Sequence, residues 1–476
     1  MNKKVNLKRL SFILIISYLI IGIAFYFIGG EQFYITKSND NLVYDVENST
    51  IGPVMSSTKI EQDFKVQYYA IDGIKIKTDT NEKETKGNLS VSLMDKDSNI
   101  VLFQEKIDVS KFNGKSDVYL NTNKKTLDVK NKNLALIITS DIENENEAPV
   151  IYTGNGIGNL PMYIDGKLTD KSLLISMECF DKSWFGPNYW YIFLGGLIIL
   201  SWYLININIK QKNETDSYGL NVINVYMKYK FLLSQLIQRD FKTKYKRSVL
   251  GVLWSFFNPL LTMAVQYIVF STIFKSDIPN FPVYLLIGVV MFNFFSEACG
   301  MGLMAILGNA SLITKVYVPK YIYPVSRVFS SVINLLLSLI PLAIVIIVTQ
   351  TQIKFSVLLI IFGILCTIVF CIGMALILST AMVFFRDTQF LWNVVSLLWM
   401  YLTPLFYPES IVPDKFKFIL QLNPMYHFIR FVRICILDGV SPEPIAYLIC
   451  IVFSVGTFLI GAWVFKKNQD KFVLNI

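Results

Sequence analysis

The chain has 476 residues, 53% hydrophobic and only 17% charged, with a net charge of +9. This excludes an ordinary soluble enzyme, because mostly apolar runs of 18 or more residues recur, each able to cross a hydrocarbon core about 30 Å thick. Residues 31–187 hold 18 Lys, no Arg and 24 Asp plus Glu, leaving 26 basic and 11 acidic residues elsewhere; a basic membrane part and a mildly acidic polar part imply opposite sides of a bilayer, not nucleic-acid binding.

Lys3, Lys4, Lys8 and Arg9 precede an apolar run over about 10–28. The run exceeds the about 7–15 residues of a signal-peptide core, and no small-x-small cleavage site follows. A retained anchor is therefore expected, with residues 1–30 forming a cytoplasmic N-terminus and first span. Residues 31–187 then alternate apolar and polar positions in short blocks: Phe64, Val66 and Tyr68; Leu89, Val91 and Leu93; Leu134, Leu136 and Ile138. Turn-rich joints at Asp95–Asn99 and Gly154–Gly156 separate them, which predicts an extracellular antiparallel β-sandwich. A spacer and a sugar-binding module are equally open for it, since no aromatic platform or calcium loop is visible. Glu143, Glu145 and Glu147 read as a solvated loop.

Trp184, Tyr189, Trp190 and Tyr191 bracket Pro187 where the chain re-enters lipid, as interfacial aromatics do. A second span covers 188–208, with Lys210 and Lys212 behind it. Residues 209–248 are a linker and an amphipathic helix, with apolar residues at Val222, Val225, Tyr226, Tyr229, Leu232, Leu233, Leu236, Ile237 and Phe241. Lys228, Lys230, Arg239, Lys242, Lys244, Lys246 and Arg247 surround that stripe. Such a helix suits a membrane surface, apolar face in lipid and cations near phosphates. It is expected to run without a break into the apolar span that starts at Val249.

Residues 249–476 contain six further spans, near 249–274, 283–306, 325–349, 356–384, 390–407 and 444–465. The predicted fold is thus an α-helical polytopic membrane protein of about eight transmembrane helices with an inserted β-sandwich. Lys315, Lys320, Arg327, Arg386, Lys466, Lys467 and Lys471 fall on the side of the N-terminus, so both termini are expected in the cytoplasm of a plasma-membrane protein. Lys415, Lys417, Arg430 and Arg433 break this bias. With Pro404, Pro408, Pro413 and Pro424 nearby, that segment is expected to form short helices dipping back into the membrane.

Three blocks within 222–476 resemble the membrane subunit of type-2 ABC exporters for polysaccharides, the group of O-antigen, capsule and teichoic acid permeases. They are Arg239-Asp240 through Tyr245 with Ser248-Val249-Leu250-Gly251, Trp254 and Asn258-Pro259; Leu312 through Lys320 with Pro324; and Phe385-Arg386-Asp387 with Pro404 through Pro408, Asn423-Pro424 and Arg430. The resemblance implies an interface helix before Ser248 that docks on an ATPase subunit. It also implies a coupling loop over Lys315, Val316, Tyr317, Pro319 and Lys320, with Arg239, Asp240, Lys242 and Tyr245 sharing the ATPase contact. External helices follow over Pro408–Leu437, and a homodimer of permeases with two ATPases passes a lipid-linked glycan. Residues 1–210 lie outside the pattern.

No G-x-x-x-x-G-K-[ST] occurs, so this chain supplies no P-loop; the ATP-driven transport that the resemblance implies then places ATP and Mg on the partner, with no cofactor expected on this chain. Arg386 and Asp387 read either as an entrance gate or as a snorkelling Arg and a helix-end charge. Glu297 is a carboxylate in an apolar span, so it faces a polar cavity, meets another subunit or is protonated and hydrogen-bonded. Tyr267, Phe270 and Phe274 share one helix face and Trp392 and Trp399 another. These stripes can line a sugar path, although packing and lipid contact are the commoner use. Arg430 and Arg433, one turn apart, suit a lipid-linked phosphate, with interface anchoring as the plainer use. His427 reads as a hydrogen-bonded structural residue. Cys299, Cys366, Cys371, Cys435 and Cys450 lie in apolar surroundings and Cys179 stands alone in the polar region, so no zinc site is expected. The function expected is a polysaccharide-exporting permease without enzymatic activity of its own. A lipid or drug permease, a polytopic glycosyltransferase and a carbohydrate-sensing receptor are the alternatives.

Overall fold

The computed structural model describes residues 7–41, 49–80, 83, 85–112, 114–155, 161–213, 215, 217–246, 249–273, 278–316 and 318–475. Two compact units emerge: residues 33–187, and residues 1–32 together with 188–476.

The first unit is β-rich. Its strands are β1 (Ile35–Asn41), β2 (Ser49–Ile51), β3 (Ile60–Lys65), β4 (Ala70–Asp79), β5 (Asn88–Asp95), β6 (Ile100–Asp108), β7 (Lys115–Leu127), β8 (Asn133–Ser140), β9 (Val150–Asn155), β10 (Met162–Ile164), β11 (Lys167–Thr169), β12 (Lys171–Leu173) and β13 (Ile175–Lys182). One antiparallel sheet runs β1-β13-β4-β9-β12, with β7 also on β4 and β2 on β9; the other runs β11-β10-β3-β8-β5-β6. The alternation read from sequence sets the buried face. Phe64, Leu89, Val91, Leu93, Leu134, Leu136 and Ile138 from the second sheet share one core with Ile71, Ile74, Ile76, Leu120 and Met177 from the first. Period-two burial lets each strand give one face to the core and one to water. The joint Asp95–Asn99 is the β5–β6 turn. There the Asp95 carboxylate accepts from the Asp97 N–H at 3.0 Å, and Asn99 takes φ 58°. Of the second predicted joint, Gly156 lies outside the described residues. Glu143 and Glu145 are exposed, as a solvated loop requires.

The second unit is helical: α1 (Leu7–Gly29), α2 (Phe185–Lys212), α3 (Tyr218–Tyr245), α4 (Trp254–Tyr267), α5 (Phe281–Leu303), α6 (Ala310–Ile313), α7 (Ile322–Val348), α8 (Ile360–Phe384), α9 (Thr388–Leu402), α10 (Lys417–Gln421), α11 (Pro424–Arg433), α12 (Pro444–Asn468) and α13 (Phe472–Asn475). Among the described residues seven helices are long and apolar enough to cross a membrane, against the eight expected. The difference is α9. Its 15 residues span about 22 Å, because Thr403 must leave helical geometry before Pro404 (φ −96°, ψ 128°). The prolines behind it behave as expected and break the chain into short helices. Asn423 caps α11, accepting from the Met425 and Tyr426 N–H groups, and Pro424 takes the first turn. Met425, Phe428, Ile429, Phe431 and Val432 are buried against the bundle, so α11 dips back among the spans.

α5 is the hub, with 72% of its apolar window buried against 6% for α1. α8 and α12 cross at Gly373 and Gly461. A Cβ on Gly461 would sit 2.3 Å from the Gly373 carbonyl oxygen, so only glycine allows this approach.

Two expectations about α3 are corrected. From Tyr229 onward its apolar face lies on protein, not in lipid: Leu236 is buried with Ala305, Ile306, Ile313, Tyr323 and Phe472. The apolar signal is the same for both surroundings, and complementary side chains at the end of the bundle decide between them. Val222 and Tyr226, nearer the start, do stay exposed. Nor does α3 run unbroken into the next span. Helical geometry ends at Lys246 (ψ 129°) and Gly251 takes φ 53°, before a single tight turn over Gly251–Leu253 starts α4. Glycine, with no Cβ, takes such a φ without strain.

Candidate functional site

The candidate site forms at the end of the bundle where α3, the α5–α7 connection and the end of α12 meet. Asp240 is buried on the inner face of α3. One of its carboxylate oxygens, Oδ1, receives Arg239 Nη2 at 2.9 Å and Arg327 Nη1 of α7 at 3.2 Å. Arg239 also donates to Asn309 Oδ1 at 2.9 Å, and Asn309 donates to the Ala305 carbonyl at 2.8 Å. The helix end is thus tied by charge to α7 and by hydrogen bonds to the turn after α5. Asp240 Oδ2 is buried without a hydrogen-bond partner among the described residues. A buried carboxylate held by two guanidiniums is costly to break from either side. Of the predicted ATPase-contact residues, Arg239 and Asp240 therefore anchor the helix, while Lys242 is exposed. The side chain of Tyr245 lies outside the described residues.

One turn further, Lys244 Nζ lies 2.9 Å from Glu297 Oε1 of α5. Asn334 Nδ2 of α7 donates to the same oxygen, and Ser255 of α4 bonds to Asn334 at 3.3 Å. Glu297 is therefore neither isolated nor dependent on another chain for a partner. It lines a cavity of about 290 Å³ among α4, α5 and α7, where Ser255, Asn258, Asn293, Ser331, Asn334 and Ser338 are set among apolar Trp254, Val290, Phe294 and Leu335. A second cavity of about 480 Å³ lies between Arg239, Asp240, Thr243, Gly308 and Arg327.

In the predicted coupling loop, Lys315 and Val316 are exposed, Pro319 is half-buried and Tyr317 lies outside the described residues. Lys320 Nζ donates to the Gln469 carbonyl at 2.6 Å, which pins the loop to the chain behind α12. The cations assigned to one side by sequence, Lys320, Arg327 and Lys471 with its neighbours, do meet at one end of the bundle. Arg386 and Asp387 are exposed at the start of α9, where a carboxylate complements the helix dipole.

The aromatic stripes go to packing. Phe295 lies between Trp392 and Trp399, at ring centroids of 6.0 and 5.0 Å, and Trp399 Nε1 donates to Asn423 at 2.8 Å. Phe270 stacks on Phe406 at 5.4 Å and Tyr267 tilts against Phe281 at 6.1 Å; Phe274 lies outside the described residues. The two arginines expected to act together are separated. Arg433 is buried, donates to the carbonyls of Pro404, Tyr284 and Leu405, and stacks on Tyr284 at 3.4 Å. Its burial answers two carbonyls freed where α9 ends, those of Pro404 and Leu405, and that of Tyr284 in α5, so a phosphate has no open side to approach. Arg430 stays exposed, with Nε 3.6 Å from Glu409. His427 bonds to the Gln421 carbonyl at 2.8 Å and stacks on Phe453, as a structural residue does. All six cysteines are free and buried.

Sequence reasoning missed Asn309, Asn334 and the role of Lys244 and Arg327. Amides such as Asn334 inside apolar runs were the available signal.

Comparison with known proteins fits this geometry. The family model for the ABC-2 type transporter matches residues 232–437, covering the end of α3 through the re-entrant helices. The O-antigen export system permease protein RfbA of Myxococcus xanthus is 30% identical over 260 residues, 54% of this chain and all of that protein. A Klebsiella pneumoniae protein of the same name is 29% identical over 262 residues, 52% of this chain and 98% of its own length. The polysialic acid transport protein KpsM of Escherichia coli is 22% identical over 249 residues, 51% of this chain and 95% of its own. These matches leave out about half of the chain. With a whole relative matched at this identity, the chain belongs to the ABC-2 type transporter family, as a membrane-spanning permease.

Proposed function

We propose that this chain is the permease subunit of an ATP-driven exporter of polysaccharide, with hydrolysis carried by a separate subunit that holds ATP and Mg. The observation that carries the reading is the anchorage of α3. Asp240 is clamped by Arg239 and Arg327 while Lys242, Lys315 and Val316 stay exposed at the same end. A helix tied rigidly to α7 and presenting cations outward is suited to receive motion from a docked ATPase and pass it to the spans. The polymer is lipid-linked in this reading, and two copies of the chain form its path. The apolar residues exposed on α4 (Leu261, Val265) and α9 (Val394, Leu398, Tyr401) supply surface for the second copy as well as for lipid. The termini lie in the cytoplasm of a plasma-membrane protein, and residues 33–187 form an extracellular sandwich.

The test is co-expression with a candidate ATPase subunit of an ABC exporter, followed by pull-down and by measurement of surface polymer. Replacing Lys315, Val316 and Lys320 with Ala is expected to abolish export while membrane insertion stays intact. A chain that exports polymer when purified and reconstituted alone would overturn the reading.

A further inference from the structure

We propose that the Lys244–Glu297 ion pair is a gate between two cavities of the helical unit. Both side chains line both cavities. The pair stands where the space of about 290 Å³ and that of about 480 Å³ adjoin. Each space holds several waters, at about 30 Å³ per molecule. The smaller one is lined by three serines and three asparagines contributed by apolar spans. Polar groups in such spans are retained where water or a polar ligand meets them. Joined, the two spaces make one hydrogen-bonding route past the end of α3, fit for water and hydroxyl-bearing groups.

The pair is built to part and close again. Lys244 sits in the last turn of α3, one turn after the Asp240 clamp and just before helical geometry ends at Lys246. A tilt of α3 about the clamp displaces Lys244 more than Asp240. The Lys244 side chain is 40% exposed, so the released ammonium moves into the wider cavity and water. Glu297 keeps its bond to Asn334 when Lys244 leaves. Each partner thus has a solvated alternative, which lowers the cost of opening. Only the statement that ATP drives the tilt rests on the proposed function.

The experiment uses the full chain with its ATPase in inside-out vesicles, with Ser338→Cys as a reporter in the smaller cavity. The probe is the water-soluble thiol reagent methanethiosulfonate ethyltrimethylammonium, and the chain with its six native buried cysteines gives the background. Without ATP, labelling is expected to be slow in the reporter chain. It should rise about tenfold with Lys244→Met or Glu297→Gln, which remove charge at nearly constant volume. The double variant Lys244→Glu with Glu297→Lys should return it to slow, and Lys467→Ala, an exposed cation of α12, should leave it unchanged. Equal labelling with and without the pair, or acceleration by Lys467→Ala of the same size, would overturn the gate. ATP should accelerate labelling of the intact reporter chain. If both isosteric variants label fast but ATP has no effect on the intact chain, the gate stands and the ATP-driven reading of α3 falls.

Discussion

The two units place the same kind of charge cluster in different surroundings. In the β-rich unit Lys96 bonds to Asp63 at 2.8 Å and Glu61 at 3.1 Å, with side chains 19–35% exposed. In the helical unit Asp240 meets two guanidiniums at similar distances, but its side chain is only 3% exposed and one oxygen is unmatched. Water screens the first cluster, so each pair there is a small, replaceable contribution. In the second the carboxylate is shut away from water while Arg239 stays 47% exposed, so it is Asp240 that depends on its two guanidiniums to offset desolvation. Surface charge tunes the β unit; buried charge positions α3.

Substitutions test this contrast directly. Asp240→Ala leaves Arg327 without its carboxylate and is expected to cost about 3–5 kcal/mol. Thermal unfolding of the full chain in detergent should show it, with hydrogen exchange of 33–187 unchanged. An effect no larger than that of a surface pair would erase the distinction. Leu136→Ala, at the centre of the β core, should cost about 2–5 kcal/mol by leaving a cavity. Here exchange should accelerate in β3, β5 and β8 while export assembly persists.

A smaller effect comes from acid. Lys75 beside Glu178 holds that carboxyl below the usual range, and Lys130 does the same for Asp181. Both carboxyls are more acidic when folded, so their stabilisation is complete above the unfolded values of 4.5 and 3.8. It is lost as pH falls through the lower folded values. Exchange in β13 and β4, corrected for intrinsic rates, should therefore accelerate below about pH 4.5. Resistance to acid there would show that these pairs do not support the sheet. The smallest expected change is Lys96→Ala, about 0.2–1 kcal/mol and weaker still in high salt. A loss of several kcal/mol would mean that the outer face of this unit is less hydrated than its exposure indicates.

Much of this was legible from residues alone. Leu134, Leu136 and Ile138 announced a strand with one buried face, and the period of two carried straight through to the core. The prolines at 404, 408, 413 and 424 announced the broken segment because a missing N–H and a fixed φ act locally. The reading failed where one apolar signal has two meanings. α3 has the stripe of a helix lying in lipid, yet Leu236 packs on protein. Trp392 and Trp399 have the spacing of a path-lining face, yet they close around Phe295.

Beside the three blocks that resemble an exporter permease, composition and local periodicity by themselves determined that the chain crosses a membrane repeatedly and carries a β-rich insertion. They act through near neighbours and through the choice between water and an apolar medium, both of which a sequence displays. Only the tertiary structure decided which polar groups meet. Asp240 found Arg327, Glu297 found Lys244 and Asn334, and Arg433 was taken up by the carbonyls at 284, 404 and 405. Those partners stand on different helices, and their meeting depends on which faces pack together. A buried charge accepts whichever partner that packing brings within reach, and nothing in its own stretch of chain names it.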